Sequence, residues 1–141
     1  MAKKRTILFI DDNPVDRAFI KGLLAKYNFN VLLAEDGEIG LRMAQEEKVD
    51  LILLDILLPH ISGIELCKEL KKIPATQDIP VIFYSAVETP KNMIVYASYG
   101  AVDYIQKSMP PKELVSAIRS ILKSEWAPNF KEETSILLDK E

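Results

Sequence analysis

The sequence predicts an α/β protein with a five-stranded parallel sheet, doubly wound, with helices on both faces. Short apolar runs alternate with segments whose apolar residues have helical spacing, which is typical of parallel strands joined by helices. The run Leu51–Leu54 is apolar without a break, as expected of a strand buried on both faces. Polar residues follow most of the predicted strands. With 141 residues, of which 48% are hydrophobic, the chain is long enough for one globular domain with a core.

The first strand is predicted at Thr6–Ile10, and Asn13 and Pro14 then begin a helix. Asn is a favoured capping residue and Pro suits the first helical position. The inner face of this helix is marked by apolar residues at positions i, i+3, i+4 and i+7, namely Ile20, Leu23, Leu24 and Tyr27. The second strand is predicted at Val31–Ala34, and Asp36 caps the helix after it.

The third strand is Leu51–Leu54, and Ser62 with Glu65 matches the capping box of the next helix. The fourth strand is predicted at Pro80–Tyr84, and Ser85 is the polar residue at its end.

The last part of the domain repeats the pattern once more. Thr89–Pro90 predicts a helix start and Gly100 its end. The fifth strand is predicted at Ala101–Ile105, and Pro110–Pro111 begins a final helix. Residues 1–124 therefore form the predicted domain, and residues 125–141 are predicted to be a C-terminal tail too short for a domain of its own.

Composition excludes several classes of protein. A net charge of -3 gives no basic face for nucleic acid. The single cysteine, Cys67, excludes an internal disulfide framework and fits a reducing compartment. No stretch approaches the roughly 18 apolar residues of a membrane span. We therefore expect a cytoplasmic protein that binds neither DNA nor a membrane.

The candidate site consists of polar residues at the ends of four strands. They are Asp11, Asp12, Asp55, Ser85 and Lys107. Because parallel strands share one carboxyl edge, these side chains are expected to converge. Clustered carboxylates raise one another's pKa unless a cation joins them, and an all-oxygen site suits Mg²⁺. A carboxylate can accept a phosphoryl group as a nucleophile, a step that needs little beyond positioning and charge neutralisation.

A larger motif includes this set. It consists of Asp11–Asp12, Asp55 with Pro59 and Gly63, Ser85–Ala86, and Tyr104 three residues before Lys107. From about Lys4 to Lys123 the sequence resembles a response-regulator receiver domain of two-component systems. The resemblance implies a flavodoxin-like strand order of 2-1-3-4-5. It also implies a stand-alone receiver that acts by binding another protein or by passing its phosphoryl group onward, with a receiver cut from a longer regulator as the alternative.

The resemblance implies a role for each site residue. Asp55 would accept a phosphoryl group from a phosphohistidine of a sensor histidine kinase or a histidine phosphotransfer protein. Asp12 and Asp55 would bind Mg²⁺ directly, together with the backbone carbonyl of Leu57, and Asp11 would hold a metal-bound water. Lys107 would pair with Asp55 or with its phosphate. The protein would thus catalyse its own phosphorylation and dephosphorylation, without turning over an external substrate.

The resemblance also implies a switch. Ser85 would hydrogen-bond a phosphoryl oxygen, and Tyr104 would move inward when Ser85 is drawn to the phosphate. The face formed by the fourth helix, fifth strand and fifth helix would then bind a downstream target protein, or a second copy of the chain in a homodimer.

Two departures from the family pattern affect these expectations. Ser108 stands where family members usually have a proline joined by a cis peptide, and a cis bond without proline costs about 2.5–4 kcal/mol. Leu57 and Val87 are apolar at positions that influence attack by water in the family. We therefore expect slow loss of the phosphate.

Three other classes of protein share parts of this pattern. A haloacid-dehalogenase-like phosphatase needs a second aspartate two residues after its nucleophile, and neither Asp55 nor Asp11 has one. A flavodoxin-like cofactor carrier needs a phosphate-cradling loop after the first strand, where two carboxylates would repel the phosphate. An interaction module of the same fold that is never phosphorylated stays open, although all the acceptor-site residues are present.

Overall fold

A computed structural model describes residues 4–87 and 94–126 of the chain. It contains five parallel strands in one sheet, and the order β2-β1-β3-β4-β5 confirms the predicted doubly wound arrangement. The strands are β1 (Thr6–Ile10), β2 (Asn30–Ala34), β3 (Leu51–Leu54), β4 (Val81–Ser85) and β5 (Asp103–Gln106). The helices are α1 (Pro14–Lys26), α2 (Gly37–Glu46), α3 (Gly63–Lys72), α4 (Ile94–Ser98) and α5 (Pro111–Trp126). None of the helices within these ranges is long and apolar enough to cross a membrane.

The sheet separates two apolar cores. Along β1, Leu8 and Ile10 belong to one core, whereas Ile7 and Phe9 belong to the other. All four residues of β3 are fully buried, with 0% exposure. Burial on both faces explains why the sequence of β3 is continuously apolar rather than alternating.

The predicted helix caps of α1, α2 and α3 are present. The Oδ1 atom of Asn13 accepts hydrogen bonds from the backbone N–H groups of Val15 (2.8 Å) and Asp16 (3.2 Å). The side chains of Asp36 and Ser62 cap α2 and α3 in the same way. These caps fix the first turns of three helices beside the carboxyl edge of the sheet.

The prediction for the fifth strand was wrong at its start, because β5 begins at Asp103 rather than Ala101. Gly100 adopts a positive φ of 99° after α4, and the N–H of Ala101 still bonds the carbonyl of Tyr96. The helix cap therefore extends to Ala101, whereas the N–H of Val102 already donates to the Val81 carbonyl (2.8 Å) just before β5. The predicted helix start at Thr89–Pro90 lies outside the described residues.

Candidate functional site

The predicted site residues meet at the carboxyl edge of the sheet. Asp11 and Asp55 directly follow β1 and β3, Ser85 is the last residue of β4, and Lys107 directly follows β5. Backbone hydrogen bonds continue past the strand ends: Asp55 N–H donates to the Ile10 carbonyl (3.1 Å), and Lys107 N–H donates to the Ser85 carbonyl (2.8 Å). The sheet ladder itself therefore positions the side chains of the site.

Three carboxylates lie close enough to share one cation. Asp11, Asp12 and Asp55 each offer an oxygen, and these oxygens lie within 4.8 Å of one another. Asp11 is fully buried and Asp55 is 5% exposed, whereas Asp12 faces solvent. An all-oxygen donor set with one solvent-facing member fits Mg²⁺, which keeps several of its waters.

Lys107 provides the counter-charge for this cluster. Its Nζ donates hydrogen bonds to Asp11 Oδ2 (2.6 Å), Asp16 Oδ2 (2.7 Å) and Asp55 Oδ2 (3.0 Å). The contact of Lys107 with Asp55 was predicted, whereas the contact with Asp16 was not. Asp16 lies in the first turn of α1, and an acidic residue in a helix that begins at this edge is a signal that could have indicated it.

The titration of two groups reflects this arrangement. Burial alone would lower the pKa of Lys107, but its hydrogen bonds to three carboxylates outweigh burial and hold that pKa above its ordinary value. Burial raises the pKa of the Asp11 carboxyl above its ordinary range, although the hydrogen bonds from Lys107 and from the Asn13 N–H act in the opposite direction. A second cation at the site would relieve this cost of holding a buried carboxylate charged.

Asp55 is held by hydrogen bonds on both of its carboxylate oxygens. Oδ1 accepts one bond from the Ser85 hydroxyl (2.8 Å) and one from the Leu57 N–H (3.1 Å), and Oδ2 accepts the bond from Lys107. Leu57 itself is 60% exposed. The charge at the end of a buried strand is therefore satisfied by the predicted partners.

Tyr104 occupies an inward position. It is 4% exposed, and its hydroxyl donates to the carbonyl of Val87, whose N–H in turn donates to the Ser85 hydroxyl (3.4 Å). The ring of Tyr104 lies 4.8 Å from the ring of Tyr96 and 6.4 Å from that of Phe83, measured between centroids. Val87 thus connects the two residues predicted to form the switch.

The loops around Asp55 and Lys107 are also defined. The described residues contain no cis peptide bond, so the bond between Lys107 and Ser108 is trans. In the loop between β3 and α3, the N–H of Gly63 donates to the Ile56 carbonyl (2.8 Å). A Cβ atom at Gly63 would lie 2.1 Å from the Asp55 carbonyl oxygen, so only glycine allows the start of α3 to approach Asp55 this closely.

Comparisons with known proteins agree with this geometry. The family model of the response regulator receiver domain matches residues 7–119. The phosphate regulon transcriptional regulatory protein PhoB of Pseudomonas aeruginosa is 39% identical over 119 residues, which are 84% of this chain and 52% of that protein. The response regulator ArlR of Staphylococcus saprophyticus is 33% identical over 135 residues, 96% of this chain and 60% of that protein. The chain thus spans 52% to 60% of the length of these two curated relatives.

Solved structures show the same fold. A receiver domain protein from Methanospirillum hungatei, described as CheY-like, superposes with a TM-score of 0.79 at 26% identity, covering 86% of this chain and 96% of that one. The Francisella response regulator 1452 receiver domain gives a TM-score of 0.79 at 28% identity, covering 86% and 99% of the two chains.

The chain belongs to the response-regulator receiver domain family. Receiver domains of two-component systems are phosphorylated on an aspartate by histidine kinases, and they interact with those kinases and with downstream effectors. They generally bind Mg²⁺ at an acidic pocket, and this chain has such a cluster of aspartates. The phosphatase and the cofactor carrier are thereby set aside, and an unphosphorylated interaction module is not favoured.

Proposed function

We propose that this protein is a phosphorylation-switched signalling protein that accepts a phosphoryl group on Asp55 from a phosphohistidine of a sensor kinase or phosphotransfer protein. The observation that carries the proposal is the environment of the Asp55 carboxylate. It contacts both Ser85 and Lys107 and lies within 4.8 Å of the ligand oxygens of Asp11 and Asp12. An acceptor, a counter-charge, a hydrogen-bond donor and three candidate metal ligands therefore lie together, which supports the proposal.

The transfer proceeds by attack of an Asp55 carboxylate oxygen on the phosphorus of the donor. An O–P bond forms, the N–P bond of the phosphohistidine breaks, and the leaving imidazole keeps that electron pair and takes up a proton. Lys107 and the Ser85 hydroxyl, which now donate to the two carboxylate oxygens, would donate to the transferred group. Phosphoryl transfer depends chiefly on such positioning and charge neutralisation.

We assign the metal ligands within the same proposal. Asp12 and Asp55 would bind Mg²⁺ directly with the Leu57 backbone carbonyl, and Asp11 would bind through a water. When bound, Mg²⁺ neutralises charge that develops on the transferred phosphoryl group. The exposed position of Asp12 and the burial of Asp11 are consistent with a direct and an indirect role.

The switch is assigned to Ser85 and Tyr104. In the arrangement described here the Ser85 hydroxyl already bonds Asp55, and Tyr104 is already inward against Val87. A phosphoryl group on Asp55 would strengthen the acceptor for Ser85 and favour this inward arrangement over one with Tyr104 outward. Tyr96 on α4 contacts the Tyr104 ring, so the change would reach the face formed by α4, β5 and α5.

This face is our proposed site for a downstream target protein or for a second copy of the chain. Two further expectations stay predictions: a role as a relay that passes the phosphoryl group onward, and a cytoplasmic location. The separate tail at residues 125–141 also stays a prediction, because residues 127–141 lie outside the described ranges. The last described helix, α5, ends at Trp126.

The proposal is tested by incubating the protein with Mg²⁺ and a small acyl phosphate and measuring its intact mass. We expect the gain of one phosphoryl group by the wild type and by Glu38→Gln, a control that removes an exposed carboxylate from the first turn of α2. The Asp55→Asn variant should gain none. If neither an acyl phosphate nor a phosphohistidine donor phosphorylates the wild type, the unphosphorylated interaction module is the correct reading.

A further inference from the structure

Lys107 is bound by one carboxylate that stands outside the candidate metal site. The three hydrogens of a lysine ammonium can serve three acceptors, and here each acceptor is a different residue: Asp11, Asp16 and Asp55. Asp11 and Asp55 also belong to the group of carboxylates that could hold a metal, whereas Asp16 does not. Asp16 is therefore the one partner of Lys107 for which a metal ion does not compete.

The fold holds Asp16 in place independently of the lysine. Its backbone N–H donates to the Asn13 cap (3.2 Å), which fixes the first turn of α1. The next residue, Arg17, donates from its guanidinium to the Asp11 carbonyl (2.9 Å). This bond holds the first turn of α1 against the end of β1. A carboxylate on such a rigid turn can position a flexible lysine side chain.

The pair lies in a partly buried environment, where it is more than a solvated surface contact. The side chain of Lys107 is 17% exposed and that of Asp16 is 33% exposed, and their atoms are 2.7 Å apart. Because the distance is short and the exposure limited, we expect this ion pair to contribute more free energy than fully exposed surface ion pairs, which contribute little to stability.

We infer that Asp16 is a positioning residue that keeps Lys107 at the acceptor site when the metal ion draws Asp11 and Asp55 toward itself. This inference rests on the proposed function, because it assumes that Asp55 is phosphorylated with Mg²⁺ at the site. Without Asp16, Lys107 has only partners that the metal also binds, and it would spend less time where it can donate to the transferred phosphoryl group.

The first test is the rate of phosphorylation by a small acyl phosphate as a function of Mg²⁺ concentration. If the Asp16 charge only attracted Mg²⁺, its removal would raise the Mg²⁺ concentration that gives half of the maximal rate. If Asp16 positions Lys107, its removal would lower the maximal rate at saturating Mg²⁺. We expect Asp16→Asn to lower that maximal rate by about two- to fivefold, the effect of losing one partly buried ion-pair contact. Asp16→Glu, which keeps the charge on a longer chain, should restore part of it, and Glu38→Gln should match the wild type.

The second test needs neither metal nor donor. Urea unfolding of the metal-free protein is compared among the wild type, Asp16→Asn, Lys107→Gln and the double variant. We expect a favourable coupling that corresponds to about a two- to fivefold change in the folding equilibrium, as for an ion pair with partial burial. Additive effects of the two substitutions would mean that Asp16 does not hold Lys107.

The outcomes separate this inference from the proposed function. If the wild type is phosphorylated and Asp16→Asn reaches the same maximal rate as Glu38→Gln, the positioning role is refuted and the proposed function stands. A change in Mg²⁺ requirement with no change in maximal rate refutes it as well. If the wild type gains no phosphoryl group from any donor, the proposed function itself fails, whatever the coupling between Asp16 and Lys107.

Discussion

The close approach of Gly63 to the acceptor strand makes the effect of one methyl group predictable. In Gly63→Ala the added Cβ would lie 2.1 Å from the Asp55 carbonyl oxygen and 2.8 Å from the Ile56 Cα, both closer than the 3.0 Å that real Cβ contacts respect. The atoms it meets are backbone, so no side chain can turn away. The loop between β3 and α3 must shift by about 1 Å, and such overpacking typically costs about 1–3 kcal/mol.

We expect Gly63→Ala to lose about 2–3 kcal/mol of unfolding free energy, near the upper end of that range because the backbone itself must move. Against a total of about 5–15 kcal/mol for a domain, this loss is readily measured by urea unfolding. The same shift moves the Asp55 backbone, so phosphorylation by an acyl phosphate should also slow.

The matched control is Gly22→Ala. Gly22 lies within α1, and a Cβ atom there would meet nothing within 4 Å. Alanine is the better helix former, so this variant should gain about 0.5–1 kcal/mol. If Gly63→Ala were as stable as the wild type and phosphorylated at the same rate, the inferred role of the close approach would be wrong.

Four further predictions follow from the site and the core. Mg²⁺ at a hundred times its Kd should stabilise the protein by about 2.7 kcal/mol, seen as a higher Tm, and Asp12→Asn should abolish most of this gain. The phosphorylated wild type should keep its phosphate for minutes or longer. Leu57→Asn, which replaces an exposed apolar residue two positions after Asp55, should shorten that lifetime. A wild-type half-life of seconds in a mass time course would contradict the prediction. Tyr104→Phe keeps the ring packing but leaves the Val87 carbonyl without its hydroxyl donor, so urea unfolding should show a loss of about 1–2 kcal/mol. Cys67 is fully buried, and burial raises the pKa of its thiol to about 11, so a thiol reagent at pH 8 should label the native protein far more slowly than the urea-unfolded protein; rapid labelling of the native state would refute its burial.

Most of the fold and the candidate site could be predicted because their determinants are local. Continuous apolar runs identify doubly buried strands, and parallel strands necessarily share one carboxyl edge. Residues that end such strands, here Asp55, Ser85 and Lys107, could therefore be brought together without knowledge of the side-chain packing.

Two features could not be predicted in this way. The partnership of Asp16 with Lys107 depends on how α1 is oriented over the sheet, which is set by the Asn13 cap and by tertiary packing. The late start of β5 follows from Gly100, whose positive φ extends the helix cap to Ala101. In both cases the sequence contains a suggestive residue, but the partner that this residue contacts is set by the three-dimensional packing.

The contact between Lys107 and Asp11 joins residues 96 positions apart in the sequence. Closing a loop of that length carries an entropic cost of about 4 kcal/mol, which local structure alone cannot offset. The contact of Lys107 with the three carboxylates therefore requires β5 to be docked beside β4. The lysine of the site comes from the strand furthest along the chain, and an unpaired β5 would leave Asp11, Asp16 and Asp55 without their shared counter-charge.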